Sequence, residues 1–168
     1  MADDPQPSGH DALPDDPAGR LRGVVKTITD ALELQATVEV TESDEELRAV
    51  VEGEDLGLLI GKHGATIDAI QHLGMRIALR GDADGRRVVV DAAGYRARRE
   101  NALQREADRA VADALRYGRS VELEPMRAPE RKVVHMYLRE RTDIETHSEG
   151  DEPERRLVVS PLAAPPAS

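Results

Sequence analysis

Two short stretches bring together residue types that can hold a charged ligand. The first is Gly57-Leu58-Leu59-Ile60-Gly61-Lys62-His63-Gly64, where an apolar run ends in two glycines separated by a cation and an imidazole. An amphipathic stretch follows at once, with Ile67, Ile70, Leu73 and Ile77 at helical spacing. The pattern predicts that one helix stops, the backbone turns tightly, and a second helix starts with N–H groups at its head. Such a corner can press main chain against a phosphodiester, with the helix N-terminus supplying partial positive charge and Lys62 a full one. A Cβ at either glycine would hold a sugar-phosphate strand away. The alternative is a glycine-bounded turn with an incidental lysine, and spacing alone does not separate the two. The second stretch is Glu130-Arg131-Lys132-Val133-Val134-His135. A spacing of four puts Arg131 and His135 on one helical face. A guanidinium beside an imidazole can hold a phosphate and a neighbouring base or sugar. The alternative is that Arg131 pairs with a carboxylate and His135 closes the edge of a core.

Catalysis has no comparable signature. The chain contains no G-x-x-x-x-G-K-[ST] loop, no G-x-S-x-G and no H-E-x-x-H. Its histidines (His10, His63, His72, His135 and His147) share no ligand spacing. With no cysteine, disulfides, thiolate metal sites and cysteine nucleophiles are excluded together. Glu130 and His135 could serve a metal-free nuclease, but no nucleophile or oxyanion device accompanies them. A non-enzymatic protein without cofactor or metal is expected.

The elements that must position these residues can be read in order. Asp16-Pro17 predicts an N-cap and first helical position. Leu21, Val24, Val25, Ile28, Ala31 and Leu32 then carry a helix to about Leu34. Residues 36–41 alternate as a half-buried strand, Ser43-Asp44-Glu45 turns, and residues 46–53 form its hairpin partner. Asp55 is expected to cap the short helix that leads to Ile60. The helix after the loop runs to about Leu79, a turn falls at Gly81 to Gly85, and Arg86 to Asp91 is a third strand. A long helix follows from about Ala93 to Tyr117. Its apolar side is Tyr95, Ala102, Leu103, Ala107, Ala110, Val111, Ala114 and Leu115, and Gly118 stops it. Val121 to Glu124 is a short strand, Pro129 opens the helix of the Arg–His pair, and Ile144–His147 and Arg156–Val159 are strands. No repeat links the two halves.

Net charge is −10, which by itself argues against a polyanionic partner. The distribution reverses that inference. Residues 20–60 hold four basic against ten acidic side chains, whereas residues 61–141 hold seventeen basic against twelve acidic. Positive charge therefore starts at the glycine loop, mostly as arginine, which suits planar phosphate and base contacts. About half of these arginines are expected to make solvated i,i+4 pairs instead. Residues 1–18 and 162–168 are too poor in apolar surface to fold and read as disordered tails. The N-terminus is acidic without an apolar segment, so no signal peptide is expected, and no apolar run approaches a membrane span. A cytoplasmic protein without an integral membrane segment is the expectation.

Residues 20 to 91, with the Ile60-Gly61-Lys62-His63-Gly64 loop followed by Ile67 and Ile70, resemble a type II KH domain. The resemblance implies a loop that clamps the backbone of about four unpaired nucleotides, beside an aliphatic groove for bases. Ile60, Ile67, Ile70 and Val50 are the groove candidates, each with a place in the core as its alternative. Three tyrosines, no phenylalanine and no tryptophan cannot build the aromatic platform of an RRM or an OB-fold, so composition agrees with a KH groove. The second half resembles an R-three-H domain, on Arg131 and His135 together with Thr146-His147-Ser148 and the Arg155-Arg156 to Pro161 stretch.

The tandem resembles the bacterial Jag family (SpoIIIJ-associated proteins, also called KhpB or EloR). It implies an α/β (α+β) chain of two small domains. A type II KH domain (α-β-β-α-α-β) at 19–92 precedes an R-three-H domain (α-β-α-β-β) at 93–161. It also implies a regulator tied to cell elongation, division and cell shape that binds single-stranded RNA. The implied contacts are Ile60, Gly61, Lys62, His63, Gly64 and Ile67 in the first domain, and Arg131, Lys132 and His135 in the second. A small KH-only protein (KhpA-like) is an implied partner. The sequence departs from the family in carrying no N-terminal Jag domain or basic linker, so roles residing there are not expected of it. Other readings are an adaptor that docks a KhpA-like protein or the ribosome, with RNA secondary, and a ribosome-assembly factor.

Overall fold

A computed structural model of the chain describes residues 14–80 and 85–162. Most of the two expected tails, and most of the expected turn at Gly81 to Gly85, lie outside these residues. The chain divides into two compact units between Ala93 and Gly94.

The first unit runs α1 (Pro17–Ala31), β1 (Ala36–Glu42), β2 (Glu46–Gly53), α2 (Gly57–Ile60), α3 (Ala65–Ala78) and β3 (Arg87–Ala92). The Asp16 carboxylate accepts from the Gly19 amide at 2.6 Å and Pro17 occupies the first turn, so α1 starts where the sequence indicates. It ends earlier than the apolar stripe suggests. Glu33 takes φ +56, the Leu34 amide donates to Thr29 and the Glu33 amide to Asp30, a Schellman arrangement that turns the chain out of the helix. β1 pairs antiparallel with β2, and β2 pairs parallel with β3, giving the order β1-β2-β3. Alternation along β2 buries Leu47, Ala49 and Val51 and turns Val50 to the other face.

On α3 the buried positions are Ile67, Ile70, Gly74 and Ala78. Leu73, expected on this face, is 51% exposed. Gly74 takes its place because α1 passes close by: a Cβ there would come within 2.7 Å of Leu21 Cδ1. Asp55 does not cap α2 either, since it sits at φ +53 and no side chain caps that helix.

The second unit runs α4 (Tyr95–Tyr117), β4 (Val121–Glu122), α5 (Ala128–Leu138), β5 (Ile144–Glu149) and β6 (Arg156–Pro161), with sheet order β4-β6-β5. Leu103, Ala107, Ala110, Val111 and Ala114 form one stripe of α4. They share a core with Val134 and Leu138 of α5 and with Leu123, Ile144, Leu157 and Val159. Alanine at three of the five α4 positions lets neighbouring elements approach closely. Leu115, expected on this side, is 42% exposed, and Gly118 ends the helix at φ +61. Both element orders agree with the sequence reading. No described helix is long and apolar enough to cross a membrane.

Candidate nucleic-acid interface

In the first unit the loop is built by two left-handed kinks. Gly61 closes α2, its amide donating to the Gly57 carbonyl at 2.8 Å, and takes φ +72 with ψ 175. That region is essentially closed to residues with a Cβ. An added Cβ would also press on the Thr66 side chain and approach the Thr66 amide nitrogen within 2.8 Å. Gly61 is thus required by the protein's own packing, a reason the sequence does not display. Lys62 to Gly64 make one 3-10 turn, in which His63 (φ +51, ψ 33) and Gly64 (φ +76, ψ 14) are both left-handed.

α3 then begins, and Gly64 brings no side chain to cap it. The Lys62 side chain is exposed and makes no hydrogen bond or ion pair among the described residues, its carbonyl accepting from the Ala65 amide, whereas His63 is half-buried and Gly64 buried. Ile60 is half-buried at the end of α2. Ile67 is fully buried, which is the core position that stood beside the groove wall as its alternative. Its position in the first turn of α3, on the same face as Ile70, turns it inward. Ile70 is likewise core at 3% exposure.

In the second unit α5 and β5 border a cleft of about 370 Å³. Arg131, Lys132 and His135 contribute from α5, and Thr146, His147 and Ser148 from β5. Arg131 is 8% exposed and already engaged: Nη1 donates to the Met126 carbonyl and Nη2 to Glu152 Oε1, both at 2.6 Å. The expected ligand-binding guanidinium is therefore also an anchor between α5 and the β5–β6 connection. His135 is exposed and its Nδ1 lies 2.7 Å from Thr146 Oγ1, which fixes the ring and points Nε2 away from that bond. The Lys132 side chain, like that of Lys62, is exposed and has no hydrogen bond or ion pair among the described residues. Glu152 and Thr146 are the partners that sequence reasoning did not assign, since both lie far along the chain.

An ion pair between buried Glu130 and half-buried Arg99 holds the start of α5. Glu130 Oε2 accepts from the Arg127 amide at 3.3 Å and Oε1 accepts from Arg99 Nε at 2.6 Å. Glu130 thereby pushes the Arg99 guanidinium further up from its already high value. This employs Glu130 structurally, away from the nuclease role weighed for it with His135. Among the described residues no three metal-ligating side chains cluster.

The two units match two families in sequence. The KhpA/KhpB KH domain matches residues 20–91 and the R-three-H domain matches residues 101–161. The fold, the glycine corner and the α5–β5 cleft therefore define a protein with a KH and an R-three-H domain in tandem. Relatives cover the same pair: the RNA-binding protein KhpB of Bacillus subtilis is 34% identical over 147 residues, which cover 86% of this chain and 71% of that protein. The protein of the same name in Clostridium symbiosum is 36% identical over 124 residues, 74% of this chain and 56% of its own length. That in Lactiplantibacillus plantarum is 40% identical over 104 residues, 62% of this chain and 32% of its own length. The chain belongs to the KhpB family. It spans about half the length of the Clostridium symbiosum relative and about a third of that from Lactiplantibacillus plantarum.

Proposed function

We propose that the chain binds single-stranded RNA, without chemistry, through the Gly61–Gly64 corner and the α5–β5 cleft. The observation that carries this reading is the corner itself. A kink at Gly61 that only glycine adopts readily, and an α3 with no side-chain cap, leave a helix N-terminus, its Gly64 and Ala65 amides turned back to Gly61 and Lys62, beside a Lys62 side chain that is exposed and unpaired among the described residues. A phosphodiester satisfies both, and a groove with aliphatic Ile60 beside it suits unpaired bases better than a duplex. In the second unit Lys132 and His135 supply donors to a second stretch of strand, with Arg131 behind them. The names of the relatives agree with RNA as the ligand. By resemblance to the Jag family the chain acts in the cytoplasm as a regulator of cell elongation, division and shape.

The test is anisotropy of labelled single-stranded RNA with the full chain, competed by duplex RNA of the same sequence. The reading expects single-strand binding that the duplex displaces poorly; equal competition, or no binding, contradicts it. A second reading, an adaptor docking a KhpA-like KH protein, is favoured by Leu58 on α2 and Leu73 on α3, which are 67% and 51% exposed. Cross-linking in cells followed by RNase separates the two. RNA recovered at the loop supports the first, and an RNase-resistant complex without RNA supports the second.

A further inference from the structure

A second cleft in the R-three-H unit, of about 510 Å³, lies between α4 and α5. Glu100 and Gln104 line it from α4, and Pro129, Val133, Met136 and Tyr137 from α5. Lys132 lines it as well and also lines the α5–β5 cleft, so one ammonium, unpaired among the described residues, stands between the two. Met136 and Tyr137 are 44% and 42% exposed, large apolar surfaces left open directly beside a cation. The Tyr137 hydroxyl donates to both carboxylate oxygens of Asp108, at 3.1 and 3.2 Å. That bond ties the ring to α4, so its open surface is presented with little further loss of side-chain freedom. At the opposite wall the Gln104 amide donates to Glu100 Oε1 at 3.4 Å, and the second amide N–H with the remaining carboxylate lone pairs offers a donor and acceptors.

We propose that this groove receives one unpaired nucleobase of the strand held at the α5–β5 cleft, with Lys132 neutralising the phosphate between the two positions. The proposal rests on the single-stranded RNA reading above. Each part of a nucleotide has its counterpart: a ring and a thioether for the base face, an amide and a carboxylate for its polar edge, and an ammonium for its phosphate. A free phosphate does not suit the groove, because Glu100 would oppose it. The volume of about 510 Å³ is in the range of small-molecule sites, which suits a single base. The chain is too poor in aromatic residues for a stacking sheet, but one pinned ring is enough for one base.

The test uses the full chain with fluorescein-labelled decamers of uridylate and of adenylate, and with the same decamers carrying one abasic nucleotide at successive positions. Tyr137→Leu keeps an apolar side chain but removes the ring, and Tyr137→Phe keeps the ring. The expected result is about tenfold weaker binding of the preferred decamer by Tyr137→Leu and less than about threefold by Tyr137→Phe. One abasic position should cost the unmodified chain about the same tenfold and cost Tyr137→Leu nothing further. If Tyr137→Leu binds like the unmodified chain while Lys62→Asp with His63→Asp abolishes binding, the groove is not a base site although the RNA reading stands. If the unmodified chain binds no decamer, the RNA reading falls and the groove proposal falls with it.

Discussion

Gly61 and Arg131 are each required by the fold, and the proposed RNA binding gives each a second role. Gly61 holds a backbone conformation that no other residue adopts easily, and Thr66 fills the space a Cβ would need. Gly61→Ala should therefore lower stability by about 3 kcal/mol in urea unfolding, combining backbone strain and overpacking. Gly57 is the control, because a Cβ there meets nothing within 4 Å. Gly57→Ala should leave stability equal or raised by up to about 1 kcal/mol; equal losses from both would show that the kink is not what fixes the loop. Arg131→Ala removes two short bonds from a nearly buried guanidinium. It should cost about 2 kcal/mol of stability as well as affinity. His135→Ala, at an exposed ring, should lower affinity with little effect on the urea midpoint. A stable Arg131→Ala protein would contradict the anchoring role.

Among the elements, α1 and the hairpin carry the clearest local predictions. Glu33 ends α1 in a left-handed conformation that favours glycine. Glu33→Gly should raise stability by about 0.5 to 1 kcal/mol, read as a higher urea midpoint. On β2, Arg87 and then Arg48 hold the Glu46 carboxyl below its usual range, and Arg141 does the same for Asp143 before β5. Both folded forms favour ionisation. Their stabilisation is complete above the ordinary carboxylate values of about 3.9 to 4.3 and is lost as pH falls through the lowered ones. Glu46→Gln should flatten the acid side of the stability profile below about pH 4; an unchanged profile would remove this pair from the account.

These elements were largely legible in the sequence, because Val88-Val89-Val90, the Asp16-Pro17 cap and Gly118 act through local chemistry. The glycine loop and the Arg131–His135 face were legible for the same reason. What was not legible depended on neighbours distant in sequence. Leu73 yields its buried place to Gly74 because Leu21 approaches there, and Ile67 belongs to the core. Arg131 is committed to Glu152, and Tyr137 is tied to Asp108.

For the whole molecule the charge distribution decides. A chain of net charge −10 is an unfavourable partner for RNA unless its basic residues are grouped, as they are over residues 61–141. Binding should weaken with salt, with a slope of about −0.7 per phosphate neutralised. Lys132→Ala should reduce that slope by about 0.7, whereas a surface substitution such as Lys26→Ala, at a residue already paired with Asp30, should leave it unchanged. If the two tethered units share the affinity as proposed, damage to one should weaken binding more than its contact energy alone implies. The measurement that bears most directly on RNA binding at the glycine corner is the affinity of Lys62→Asp with His63→Asp for single-stranded RNA, read by anisotropy beside a circular dichroism spectrum. Binding should be lost while the spectrum matches that of the unmodified chain. Unaltered affinity in a folded variant would contradict the role given to the corner.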